Sequence, residues 1–299
     1  MDAQFFFEVL LGGLLSGVMY SLVALGYVLI YKASGVFNFA QGSMVFFAAL
    51  TTVGIHDMGV SLWLAVPLTM IVMIALGLAI EKFVLRPLVA QPEITLFMAT
   101  IGLAFFVEGL AQAIWGAAVH PLELGIEDVP IQSVMDSTGI AISQFDLVAA
   151  GIAAALVTAL AIFFSKTRIG RALRAVADDH QAALSVGIPL QQIWGIVWAV
   201  AGFVALVAGL LWGARNGVEF SLTFLALKAL PVLILGGFTS IPGAIVGGLI
   251  IGASEKLAEV YIGPHVGGGV EGWFPYLLAL LFLLVRPEGL FGERIIRRI

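Results

Sequence analysis

Nine apolar runs, each cut off by a charged or glycine-rich stretch, limit what this chain can fold into more than any motif within it. They fall near 5–31, 36–55, 60–80, 94–116, 146–165, 190–213, 224–236, 243–262 and 273–285. Most reach the roughly 20 residues a helix needs to cross hydrocarbon. Of 299 residues, 61% are hydrophobic and 11% charged, where a soluble domain has about a quarter charged. No soluble core hides that much apolar surface, so the solvent is lipid. The expectation is an all-α, polytopic transmembrane bundle of about nine spans, a single transmembrane domain over 1–299. The stretch 224–236 is short and ends in "LGGFTSIPG", which reads as a broken or re-entrant helix. Irregular backbone at that depth is tolerated only inside protein or along a cavity.

Composition also excludes chemistry. There are no cysteines, which removes disulfides, thiolate metal ligands and cysteine nucleophiles. Net charge is -5 with scattered basic residues, so no nucleic-acid surface is expected. The first apolar run lacks a preceding Lys or Arg and is too long for a signal-peptide core, so it reads as a spanning helix. His56, His120, His180 and His265 fall in loops or at span edges; none is placed to activate a serine within a bilayer, which makes an intramembrane hydrolase a poor reading.

Lys and Arg set the sidedness. They cluster at Lys82 and Arg86, at Lys166, Arg168, Arg171 and Arg174, and at Arg286, Arg294, Arg297 and Arg298; from Pro87 to Ser165 there are none. That gap contains the acidic loop 117–145, with Glu123, Glu127, Asp128 and Asp136. The loop is therefore expected outside, as is the N-terminus, with 166–189 and the C-terminus in the cytoplasm. Arg215 and Lys228 flank the outer end of the short run and fit this charge rule less well.

Several polar residues fall where apolar ones belong. Asn38 and Gln41 in "VFNFAQGSM" are three apart, on one helical face, with Ser43 close by and Thr52 further along. A carboxamide in hydrocarbon without a partner costs several kcal/mol. These residues therefore face protein or water: either they bond neighbouring helices or they line a path for a neutral or zwitterionic solute. Glu108 is the acid placed deepest in a run, and intramembrane acids default to a functional hypothesis. Glu8 lies near an outer end, and Glu255 and Glu259 fall with Lys256 in the outer half of their run. Gly236, Gly237, Ser240 and Pro242 mark the break in the short run, where a kink and exposed carbonyls are equally good readings. A weak echo between "VLIYKASGVFNFAQGSMVF" and "VLILGGFTSIPGAIVGG" hints at duplicated halves with discontinuous helices.

The polar stretch "KTRIGRALRAVADDHQAALSVGIP" carries Ile169, Leu173, Val176, Ala183 and Leu184 at helical spacing, with Arg171, Arg174 and Asp178 on the other side and Asp179 next to them. Gly187 followed by Pro189 is a helix stop and restart. One or two short amphipathic helices follow, either lying on the membrane surface or docking a cytoplasmic partner.

Here a resemblance becomes specific. "GRALRAVA" followed by a small-residue segment and "GI" is similar to the coupling-helix region of permease subunits of ATP-binding-cassette importers, in particular the branched-chain amino acid permease family. "GVFNFAQGSM", "LFMATIGLAFFVEGLAQAIWG" with Thr100, "VLILGGFTSIPGAIVGGLIIGASE" and "VRPEGLFG" resemble further segments of that family in the same order. The chain departs from it at Gln41 and Ser43, where many members carry His and Glu.

On their functional reading, the polar and glycine residues within the runs give a substrate pathway through Asn38, Gln41, Ser43, Thr100, Glu108, Gly236, Gly237 and Ser240. The resemblance implies coupling to ATPases through Arg171, Arg174, Asp178, Asp179, Leu184 and Gly187. The implied partners are cytoplasmic ATP-binding subunits, a second related permease and an extracytoplasmic solute-binding protein, all in a bacterial inner membrane. No catalytic, metal or cofactor site of its own is expected; no G-x-x-x-x-G-K-[ST] pattern occurs in the chain, and ATP would be hydrolysed by the partners. The implied solutes are leucine, isoleucine or valine, with urea, short amides and aromatic acids as the alternatives carried by relatives. An ion-coupled secondary transporter acting alone is the competing reading, though a single deep acid makes a sparse proton relay.

Overall fold

A computed structural model describes residues 3–88, 91–178 and 180–292. All regular structure among them is helical. In chain order the helices are α1 (Ala3–Ser34), α2 (Gln41–Asp57), α3 (Leu62–Ile80), α4 (Glu93–Trp115), α5 (Gln132–Thr138), α6 (Gln144–Lys166), α7 (Arg168–Asp178), α8 (His180–Ser185), α9 (Leu190–Asn216), α10 (Leu225–Gly236), α11 (Ile241–Tyr261), α12 (Gly263–Val266) and α13 (Phe274–Val285). A π-helical turn, Glu81–Leu85, extends α3, and a 3-10 turn, Phe220–Phe224, leads into α10.

The expected count of about nine spans is not reproduced by helix length. Six helical stretches among the described residues are long and apolar enough to cross a membrane: Ala3–Ser34, Leu62–Leu88, Ile94–Trp115, Gln144–Lys166, Leu190–Asn216 and Ile241–Tyr261. The other three apolar runs give shorter helices. α2 has 17 residues, about 26 Å at 1.5 Å per residue. Phe220–Gly236 and Phe274–Val285 are shorter apolar helices.

The chain divides into two compact units. One comprises residues 25–124 and 159–226, the other 1–24, 125–158 and 227–299. In the first, α2 is the central element: every residue from Gln41 to Gly54 is buried. Its Gln41, Ser43, Thr51 and Thr52 side chains need protein rather than hydrocarbon around them, and α3, α4 and α9 supply that wall. Small residues let the backbones approach. A Cβ on Gly209 of α9 would lie 2.6 Å from the Val45 carbonyl oxygen, and one on Gly77 of α3 2.7 Å from that of Trp198. The ring of Trp115 lies over Gly54, and its indole N–H donates to Thr51 Oγ1 at 3.2 Å.

The second unit is organised around α11. Gly13 and Gly17 of α1 meet Gly252 and Gly248 of α11, with a Cβ on Gly17 only 2.5 Å from the Gly248 carbonyl oxygen. This is small-xxx-small packing, in which contact between backbones replaces a hydrophobic driving force that lipid cannot supply. The opposite side of α11 packs on α10 through Gly236, Gly243 and Gly247. Near the N-terminal end of α1, the Gln4 amide donates to the Thr138 carbonyl at 3.3 Å and Glu8 accepts from the Ala141 N–H at 3.2 Å, fixing the segment that carries α5.

Candidate functional site

Asn38 sits in the turn between α1 and α2, fully buried. Its Oδ1 accepts from the Ala40 N–H at 3.1 Å, an Asx turn that sets the entry into α2. Its amide nitrogen donates to Gln41 Oε1 at 3.3 Å, and the Gln41 amide donates to the Ala201 carbonyl of α9 at 3.4 Å. The two carboxamides thus form a relay between the start of α2 and the middle of α9. Ser43 is buried one turn along. Thr52 donates to Ala48 of its own helix and lies 3.1 Å from the Thr69 hydroxyl of α3.

Thr100, 1% exposed, lies on α4 facing the same turn; its hydroxyl is 3.1 Å from the Phe37 carbonyl and 2.9 Å from that of Phe97. Phe37, Phe39 and Phe97 make edge-to-face contacts alongside it. Asn38, Gln41, Ser43 and Thr100 are thereby brought together at one end of α2. Glu108 is not with them: it lies two turns further along α4, half-buried, with no hydrogen bond to Gln112 among the described residues.

Gly236, Gly237 and Ser240 form the corner between α10 and α11, in the other unit. Gly237 has φ +102°, a left-handed conformation that favours glycine. Ser240 is the N-cap of α11, its hydroxyl accepting from the Gly243 N–H at 3.0 Å. The carbonyls freed at the end of α10 do not stay open. Leu290 N–H donates to Leu235 at 2.8 Å and Phe291 N–H to Gly236 at 3.1 Å. The "VRPEGLFG" segment therefore closes the broken helix, a partnership no spacing in the sequence announces.

The cytoplasmic-type segment forms two short helices, α7 and α8, as its periodicity requires. Leu173, Val176 and Ala183 turn inward, whereas Leu184 and Val186 are 53% and 74% exposed. Arg174 is only half-exposed: its guanidinium donates to the Phe164 carbonyl at 2.8 Å and approaches that of Ser165 at 3.4 Å, so it covers the C-terminal end of α6. Arg171 remains exposed. Gly187, φ +83°, closes α8: its N–H donates to Leu184 and that of Ile188 to Ala183, both at 3.0 Å, a Schellman end. The side chain of Asp178 and the whole of Asp179 lie outside the described residues.

The sequence placed Glu255 in the outer half of its run and left Lys228 without an account; the structure pairs the two. The Lys228 ammonium lies 3.0 Å from Glu255 Oε1, and the Tyr20 hydroxyl donates to the same oxygen at 3.1 Å. Lys228 also sits 5.9 Å from the Tyr20 ring centre. Glu255 is 3% exposed, far more buried than Glu108. Across the α10–α11 hairpin Gly236 meets Gly243, and Val232 meets Gly247. Lys228 lies in the first turn of α10 and Glu255 in the C-terminal half of α11. Glu259, one turn on, is structural: it accepts from the Gly269 and Glu271 N–H groups at 3.2 and 2.9 Å.

The family described as the permease component of branched-chain amino acid transport systems matches residues 9–286. The high-affinity branched-chain amino acid transport system permease protein LivH of Salmonella typhimurium is 30% identical, over 98% of each chain. The corresponding protein BraD of Pseudomonas aeruginosa is 29% identical over 96% of each. A probable LivH of Methanocaldococcus jannaschii is 29% identical over 95% of this chain and 92% of its own. Among solved structures, PsaBC from Streptococcus pneumoniae, in complex with Fab, superposes with a TM-score of 0.50 at 14% identity, covering 93% of this chain and 90% of that one. That likeness is one of fold.

Proposed function

Because the chain belongs to the permease-component family of branched-chain amino acid transport systems, we propose that it forms the membrane pathway of an ATP-driven importer for leucine, isoleucine, valine or closely related solutes. The observation that carries the reading is the family match over residues 9–286. On this reading the importer's other parts are two ATP-hydrolysing subunits, a second permease subunit and an external binding protein, and ATP is bound and hydrolysed on the partners.

The exposed Leu184, Val186 and Arg171 on the α7–α8 segment support the coupling role, because a motor subunit needs a rigid projection to push. The Schellman end at Gly187 gives α8 that fixed termination. Asp178 and Asp179 belong to the same coupling segment. The relay Asn38–Gln41 with Ser43 and Thr100, the acid Glu108, and the corner Gly236–Gly237–Ser240 are assigned to the walls of the pathway. There the polar residues hold the shape of the wall while presenting few strong contacts, so a solute is not trapped.

Nine crossings remain the topology we propose, with α2, α10 and α13 as short spans enclosed by protein or by a partner. The N-terminus then lies outside and the C-terminus in the cytoplasm, with 117–145 external and the Lys166–Arg174 cluster internal. A bilayer core is roughly 30 Å thick, and a short helix shielded by protein does not bear that mismatch against lipid.

Reconstitution tests the reading. The assembled complex in proteoliposomes, with ATP inside the compartment facing the motor subunits, is expected to concentrate leucine supplied with binding protein. Accumulation of urea or an aromatic acid in place of leucine would redirect the solute class. Uphill uptake by this chain alone under an ion gradient would overturn the importer reading.

A further inference from the structure

We propose that the Lys228–Glu255–Tyr20 cluster is a binding site for the α-amino and α-carboxylate groups of a zwitterionic amino acid; the proposal rests on the permease reading and names where its solute is held. The Lys228 side chain is 33% exposed and that of Glu255 4%, so the cation faces accessible space while the anion is set behind it. Glu255 Oε1 is shared by Lys228 and Tyr20, yet Oε2 is buried with no hydrogen-bond partner among the described residues. A buried carboxylate oxygen without a donor is costly. An ammonium would satisfy it, reaching the oxygen once the side chains that cover it move aside.

Charge balance fits the same ligand. A buried pair is weak evidence for stability, since desolvation offsets its attraction, and ionised groups inside membrane helices are rare and functional by default. The cluster is neutral as a pair. A zwitterion adds one ammonium for Oε2 and one carboxylate for Lys228 and leaves it neutral, whereas a lone anion or cation leaves one charge unmatched. The three side chains come from α1, α10 and α11 and meet at one carboxylate oxygen. The neighbouring glycines Gly247, Gly248 and Gly252 hold the three helices close enough for Lys228 and Tyr20 to reach one oxygen.

The assembled transporter supplies the test. Lys228→Met combined with Glu255→Gln removes both charges at nearly constant volume, a change that leaves a purely structural pair close to neutral in stability. The double variant is expected to assemble with its partners and to lose leucine uptake by about tenfold or more, the scale of one charge-assisted hydrogen bond. Uptake within about twofold of the parent would overturn the site. If the double variant does not assemble, a second measurement decides. The chain has no cysteine, so Leu227→Cys, exposed beside Lys228, is a lone reporter with the charge pair intact. Leucine is expected to slow its reaction with a small thiol reagent about threefold, and N-acetyl-leucinamide, which carries neither charge, to leave the rate unchanged. Equal effects of the two compounds, or none from either, would overturn the site. Failure of the permease reading is distinguishable: the parent complex would then show no ATP-driven uptake.

Discussion

Across the α10–α11 hairpin the Lys228 ammonium reaches Glu255 Oε1 at 3.0 Å, among helices that approach one another through glycines. Removing one partner strands the other. Lys228→Met is expected to cost about 3 kcal/mol, because it strands a carboxylate whose side chain is 4% exposed, with Glu255→Leu alone costing less because the lysine it leaves is one-third exposed. The double replacement is expected to cost less than either single change. Thermal unfolding in detergent, arranged as a double-mutant cycle, measures the difference.

The α1–α11 contact has no room for a side chain. Gly252→Val, at the point where Gly13 and Gly17 press on α11, is expected to force the helices apart. It should sharply lower the yield of folded protein in the membrane, as overpacking typically costs about 1–3 kcal/mol. Gly151→Val on α6 meets open space and is the matching control, expected to leave yield unchanged.

At the start of α2, Gln41→Leu removes the link to the Ala201 carbonyl. An interhelical hydrogen bond in a membrane protein is worth roughly 0.6 kcal/mol, and the buried carbonyl left behind adds to the loss. A fall in melting temperature of a few degrees is expected, without loss of insertion. A much larger loss of uptake than of stability would assign Gln41 to the solute's path.

Gly187 requires a left-handed backbone at the end of α8. Gly187→Ala is expected to cost about 1 kcal/mol, and Gly187→Pro to remove the N–H that bonds Leu184 as well. Both variants should insert normally while ATP hydrolysis loses its link to uptake, read as nucleotide hydrolysed per solute moved. Normal coupling in both would remove α8 from the motor contact. Charge reversal at Arg174 is a less clean probe than its sequence position implies, because the guanidinium also covers the Phe164 and Ser165 carbonyls of α6.

How much of this was legible follows from range. The apolar runs gave the helices, and the period of "GRALRAVADDHQAALS" gave the pair α7 and α8, because both signals are local. Helix length was not legible at α2, where an apolar run beginning at residue 36 spends its first residues on the Asn38 turn. The inward position of Asn38 and Gln41 was readable from cost alone; their partners were not, since Ala201 is 160 residues away. Glu108 drew attention by its depth in a run, yet the more buried acid is Glu255, whose cation and hydroxyl come from helices 27 and 235 residues distant. Lys228 broke the charge rule for that reason: it answers Glu255 rather than a membrane face. The closure of the α10 corner by Leu290 and Phe291 lay beyond any local pattern.

The most direct measurement is uphill leucine uptake into proteoliposomes holding this chain with and without its ATP-hydrolysing partners. Accumulation only in the complete, ATP-supplied complex is the expected result. Equal accumulation by the chain alone, driven by a proton or sodium gradient, would contradict it.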